Sequence, residues 1–132
     1  MYEEELKVYK LFISHLNQED EEYDLFLSKL DAAYDFKWED TAVKGSTTPD
    51  DLIKQVEPAN VVIILSGLIS KDKELLTMMI DAASKLEKPI VVVRPYGMET
   101  VPLNLEEMAA DVVGWNTPCI VDAIMESYGG GE

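Results

Sequence analysis

Residues 60–65 read NVVIIL and residues 89–93 read PIVVV, and these two runs decide the fold. A strand with one face in water alternates apolar and polar residues, whereas a strand covered on both faces is apolar throughout. Both runs are of the second kind, so they predict central strands with helices on each side. Residues 7–14 (KVYKLFIS) form a third β-rich run, and residues 36–38 and 111–114 two shorter ones. Between these runs the apolar spacing becomes helical. Tyr23, Phe26, Leu27, Leu30 and Ala33 or Tyr34 make one face, with Asn17 or Asp20 as the cap. Glu19, Asp20, Glu21 and Glu22 crowd the first turn, where the helix dipole favours acids. After a polar loop at 44–49, Pro49 opens a short helix with Leu52, Ile53 and Val56 inward. Residues 71–86 predict one continuous helix with Leu75, Leu76, Met79, Ile80, Ala83 and Leu86 on its apolar face. A short Pro-led helix falls within 100–110, and Asn116 caps a closing helix carrying Ile120, Ala123 and Ile124. Five strands alternating with about as many helices predict a doubly wound, flavodoxin-like five-stranded parallel sheet, in the expected order 2-1-3-4-5. No repeat or linker divides the chain, so residues 1–128 are expected to form one domain and 129–132 a frayed tail.

Composition narrows the function. The 132 residues are 47% apolar, which suits one domain with a core of its own. Acidic residues number 26 against 11 basic ones, a net charge of −15. Nucleic-acid binding needs a basic stripe that displaces counterions, so none is expected. Any anionic ligand would have to be held by local dipoles and not by an electropositive field. No apolar run approaches the ~20 residues that cross a bilayer, so no membrane span is expected. The opening residues MYEEEL lack the basic and apolar regions of a secretory signal. Cys119 is the sole cysteine, which leaves no intrachain disulfide and no cysteine-based zinc site. The expected compartment is the cytoplasm.

In a doubly wound sheet, ligands bind outside the carboxyl ends of the strands, near the switch point between the first and third. The residues at those ends are Ser14 and His15, Ser66 and Gly67, Arg94 to Gly97, and Gly114, Trp115 and Asn116. They lack the carboxylate pair and phosphoacceptor aspartate of a receiver domain. The acidic loop after His15 would repel the phosphate of a flavin nucleotide, and no Walker A or GxGxxG fingerprint is present. His15 is read as a surface residue or a loop-tying hydrogen bonder, with a base or ligand contact as the alternative. Arg94 could clamp a phosphate or pair with Glu99. Tyr96 and Gly97 read as turn formers, Trp115 as a cap over the sheet end, Asn116 as a helix N-cap and Cys119 as inert packing.

Several of these boxes resemble a known family. Phe12-Ile-Ser-His15 resembles the first-strand box of TIR domains, and Val61-Val-Ile-Ile-Leu-Ser-Gly67 the strand before their catalytic helix. Lys88-Pro-Ile-Val-Val-Val-Arg-Pro-Tyr-Gly97, Asp111-Val-Val-Gly-Trp-Asn116 and Ile120-Val-Asp-Ala-Ile124 follow in the family's order and spacing. The chain therefore resembles the compact TIR-like family that includes the TIR-like subunit of the Thoeris antiphage system and small stand-alone archaeal and bacterial proteins. The resemblance implies a signalling or interaction domain that acts through a protein partner or a weak homodimer. It also implies a pocket for an NAD- or ADP-ribose-like nucleotide, lined by Ser14, His15, Ser66, Gly67, Arg94, Tyr96, Trp115 and Asn116. Active members cleave the nicotinamide–ribose bond of NAD, as nucleosidases or ADP-ribosyl cyclases, with a glutamate in a Trp-x-x-x-Glu-like pattern after the third strand. In this chain the aromatic position falls on Leu75 and the glutamate position on Met79. Glu74, the nearest upstream carboxylate, lies five residues earlier and about 140° away around the helix. The expectation is a catalytically silent domain, and the alternative is an NAD-cleaving enzyme in antiphage defence that uses another carboxylate.

Overall fold

The computed structural model describes residues 8–16, 21–33, 36–43, 45, 47–94 and 103–129. The proposed caps Asn17 and Asp20, together with Tyr34, Tyr96, Gly97 and Glu99, lie outside these residues. Five parallel strands, β1 (Val8–Ile13), β2 (Lys37–Asp40), β3 (Val61–Leu65), β4 (Ile90–Val93) and β5 (Asp111–Val113), form one sheet in the order β2-β1-β3-β4-β5. Six helices connect and cover them: α1 (Glu21–Asp31), α2 (Pro49–Val56), α3 (Gly67–Lys71), α4 (Lys73–Lys85), α5 (Leu103–Met108) and α6 (Thr117–Gly129). The fold is the doubly wound α/β architecture expected from the sequence, with the expected strand order.

The apolar runs explain the layering. Side chains alternate faces along a strand. Val62, Ile64, Ile90 and Val92 therefore enter one core with Leu52, Val56, Leu75, Met79 and Ala83. Val61, Ile63, Leu65, Val91 and Val93 enter the other with Tyr23, Phe26, Leu30, Ile120 and Ala123. Hence α2 to α5 cover one face of the sheet, and α1 and α6 cover the other.

Three details depart from the reading of the sequence. The helix expected over 71–86 is broken: α3 ends at Lys71 and α4 begins at Lys73. Asp72 between them has an extended φ of −157°, and its carboxylate accepts a hydrogen bond from Leu75 N at 3.0 Å. An aspartate that caps a new helix cannot also continue the previous one. The strand expected at 36–38 is shifted to β2, because pairing with β1 runs from Val8↔Lys37 to Leu11↔Asp40. Finally, Gly129 closes α6 and does not begin a tail.

Candidate functional site

The carboxyl edge of the sheet gathers the first residues beyond β1 to β4. The backbone ladder holds them in line: Thr41 N donates to Leu11 O at 2.7 Å, Ser14 N to Ile63 O at 2.9 Å, Ser66 N to Val93 O at 2.9 Å and Arg94 N to Val113 O at 2.8 Å. With neighbouring strands about 4.8 Å apart, the row from β2 to β4 spans about 14 Å. Along it, four buried side-chain atoms have no hydrogen-bond partner among the described residues: Thr41 Oγ1, His15 Nε2, Ser66 Oγ and Arg94 Nε. Buried polar atoms are normally satisfied, because an unmade bond costs about 1–3 kcal/mol. Each of four successive strands in the sheet thus ends in an unsatisfied group, at the end where doubly wound sheets take ligands.

The residues named from the sequence divide by what they touch. Ser14 Oγ accepts from Leu65 N at 2.8 Å and so ties β1 to β3. His15 is not a surface residue: it is fully buried, with its ring against Tyr23 (5.6 Å between centroids) and Phe12 (6.1 Å). Its Nδ1 lies 3.1 Å from Ile13 O, the loop-tying bond that was the other part of that reading. The aromatic rings of Phe12 and Tyr23 pack on the imidazole, which the sequence position alone does not reveal. Gly67 opens α3, and a Cβ there would overlap the Glu22 carboxylate. Trp115 packs on Phe26 (5.9 Å) beneath the Lys29 ammonium, 5.3 Å from its ring, so it covers the α1 side of the sheet end. Asn116 caps α6, accepting from Cys119 N at 3.1 Å. Cys119 is exposed and not packed. Tyr96 and the Glu99 partner considered for Arg94 are outside the described residues.

Four site residues were missed. Glu22, assigned only to the acidic first turn of α1, is buried against Gly67, with its Oε2 3.8 Å from Lys71 Nζ. Tyr23 OH donates to Asp40 Oδ2, while Asp40 Oδ1 accepts from Ala42 N at 2.9 Å. Burial pushes the Asp40 carboxyl above the usual aspartate range, against the opposing pull of Tyr23, the backbone N–H groups and His15. Thr41 follows directly. The signal for the two carboxylates was present as spacing: Glu22, Phe26 and Leu30 lie at i, i+4 and i+8, and Phe36, just before β2, is followed at alternate positions by Trp38 and Asp40.

The helix after β3 carries no carboxylate toward this edge from the positions that the resemblance picks out. Leu75 and Met79 are buried in the core with Ala83, and Glu74 is exposed to solvent. Chemically, the edge offers one guanidinium N–H, two hydroxyls and an imidazole nitrogen, flanked by the buried carboxylate of Glu22 and the half-buried one of Asp40. It is a hydrogen-bonding row.

No protein-family model matches this chain, and no curated protein matches it either. What the row could hold therefore rests on its own chemistry.

Proposed function

We propose that the chain is a TIR-like signalling or interaction domain, catalytically silent toward NAD, that binds an NAD- or ADP-ribose-like nucleotide along the carboxyl edge of its sheet. The observation that carries the silent reading is Met79, fully buried at the position where the resemblance puts the glutamate. Cleavage of the nicotinamide–ribose bond builds positive charge on the ribose, and an anion fixed nearby lowers that barrier. A thioether in the core supplies none. The unsatisfied row at Thr41, His15, Ser66 and Arg94 supports the ligand, since a bound molecule is one way to satisfy buried polar groups. The test is chromatography of NAD incubated with the purified protein in excess: no nicotinamide above background is expected, together with calorimetric binding of ADP-ribose.

Glu22 supports a second reading. It is a buried carboxylate at the β1/β3 switch point, the kind of group an NAD-cleaving enzyme in antiphage defence would need. Nicotinamide release by the wild type, abolished in Glu22→Gln and unchanged in Glu74→Gln, would replace the silent reading with this one.

A silent domain acts through a surface. We take this to be weak self-association, or docking of a protein partner, on the α5 and α6 side, where Met108, Met125 and Tyr128 are exposed.

A further inference from the structure

α1 and α3 lie on opposite faces of the sheet, since Tyr23, Phe26 and Leu30 enter one core and Leu68 the other. One side chain joins them around the carboxyl end of the strands. Glu22, on α1 and 7% exposed, reaches Gly67 at the start of α3, and its Oε2 lies 3.8 Å from Lys71 Nζ in the last turn of that helix. The approach needs a glycine, because a Cβ at residue 67 would overlap the Glu22 carboxylate. Glu22 and Gly67 each take part in a further hydrogen-bonding or electrostatic contact.

The energetics make this contact a movable part. Taking a carboxylate out of water is costly. The Lys71 ammonium offsets only part of that cost, because its side chain is 44% exposed and water screens the pair. The carboxylate ends a flexible side chain, so rotation about its own bonds returns it to water without moving either helix. The backbone beside it is divided as well. α3 has 5 residues and ends at Asp72, whose extended φ of −157° separates it from α4. A helix this short is held by its neighbours more than by its own hydrogen bonds.

We propose that Glu22 is a clasp that holds α3 against α1 and closes the β1/β3 end of the sheet, and that its release uncovers Ser66 for the nucleotide. In the closed state Ser66 is buried, and its Oγ has no hydrogen-bond partner among the described residues. A ligand that binds only the released state has an apparent affinity reduced by the fraction of released molecules. The clasp stands on the contact itself, while its role as a gate deepens the nucleotide-binding reading and rests on it.

Amide hydrogen exchange of the full chain reads the clasp without a ligand. Glu22→Ala removes the carboxylate, and Gly67→Ala displaces it while leaving it in the chain. In both, the amides of residues 67–71 are expected to exchange about tenfold faster relative to those of β3 and β4, which report global stability. Glu74→Ala, on the exposed face of α4, is expected to change neither. Calorimetry with ADP-ribose then reads the gate: both clasp variants are expected to bind about tenfold more tightly than the wild type. The two variants act differently, so if one does not fold the other decides. Equal acceleration of all amides, or none at residues 67–71, overturns the clasp whatever ADP-ribose does. Local acceleration with equal ADP-ribose affinity in wild type and variants overturns the gate and leaves the nucleotide reading standing. Local acceleration with no ADP-ribose binding to any of the three proteins overturns the nucleotide reading, and the gate with it, but upholds the clasp.

Discussion

Asp40 shows how one half-buried residue writes itself into stability. Desolvation raises its carboxyl pKa above the ordinary 3.8, so the folded chain holds that proton more tightly than the unfolded chain does. The sign follows from proton linkage. The contribution to stability is complete below the unfolded value and is lost as pH rises through the higher folded one. Asp40→Asn should remove that loss, so the variant gains on the wild type across this window when urea unfolding is followed from acid toward neutral pH. Parallel profiles would mean that the carboxyl is not desolvated. The neighbouring contact gives a second test. Gly67→Ala puts a Cβ where the Glu22 carboxylate lies, so that the end of this flexible side chain must swing away from Gly67, and is expected to cost about 1 kcal/mol. The same change in a Glu22→Ala background should cost clearly less, because contacting residues are not additive. An equal cost in both backgrounds would dismiss the contact as the cause. Both acids were visible in the sequence as polar residues on apolar stripes. Composition outweighed spacing: in a chain with 26 acids, a run of four reads as a solvated helix start.

At the scale of elements, the strands were the legible part, because a strand buried on both faces has a composition that few other structures need. Boundaries set by one side chain were not legible. Asp72 interrupts an apolar periodicity that runs on both sides of it, and only its backbone angle and its bond to Leu75 N distinguish a cap from an exposed helical aspartate. Asp72→Ala is expected to lower stability by about 0.5–2 kcal/mol, the usual cost of an N-cap, as read from the urea midpoint. A neutral result would mean that the break is held by packing of α3 and not by the cap. Met79 belongs to the same helix and is held by the core. Met79→Ala should cost about 2–5 kcal/mol through the cavity it leaves, while Glu74→Ala on the exposed face should stay within about 0.5 kcal/mol. That contrast is measured by unfolding alone, apart from any activity. If instead Met79→Ala were tolerated, Met79 would not be the packing residue on which the silent reading depends.

For the whole molecule, the sheet order followed from chain-level rules, while the ligand edge did not, since it is assembled from residues up to about eighty positions apart. Charge acts at this scale too. A net charge of −15 on 132 residues opposes any close approach of two copies. Yet Met108 and Tyr128, exposed at 43% and 38%, line the same open groove of about 700 Å³ between the start of β4, α5 and α6, at the end opposite the ligand edge. Two terms therefore compete: apolar burial favours pairing at roughly 25 cal/mol per Å², and long-range repulsion resists it. Salt weakens only the second, because the screening length falls from about 10 Å at 0.1 M to about 3 Å at 1 M. Self-association through this face should then strengthen with added salt, the reverse of a complex held by ion pairs. Light scattering across a salt series is expected to show a rising dimer fraction in the wild type, and a persistent monomer in Met108→Glu and Tyr128→Glu. A wild type that stays monomeric at high protein and high salt would leave the surface to a different partner. A dimer that survives both substitutions would move the interface elsewhere.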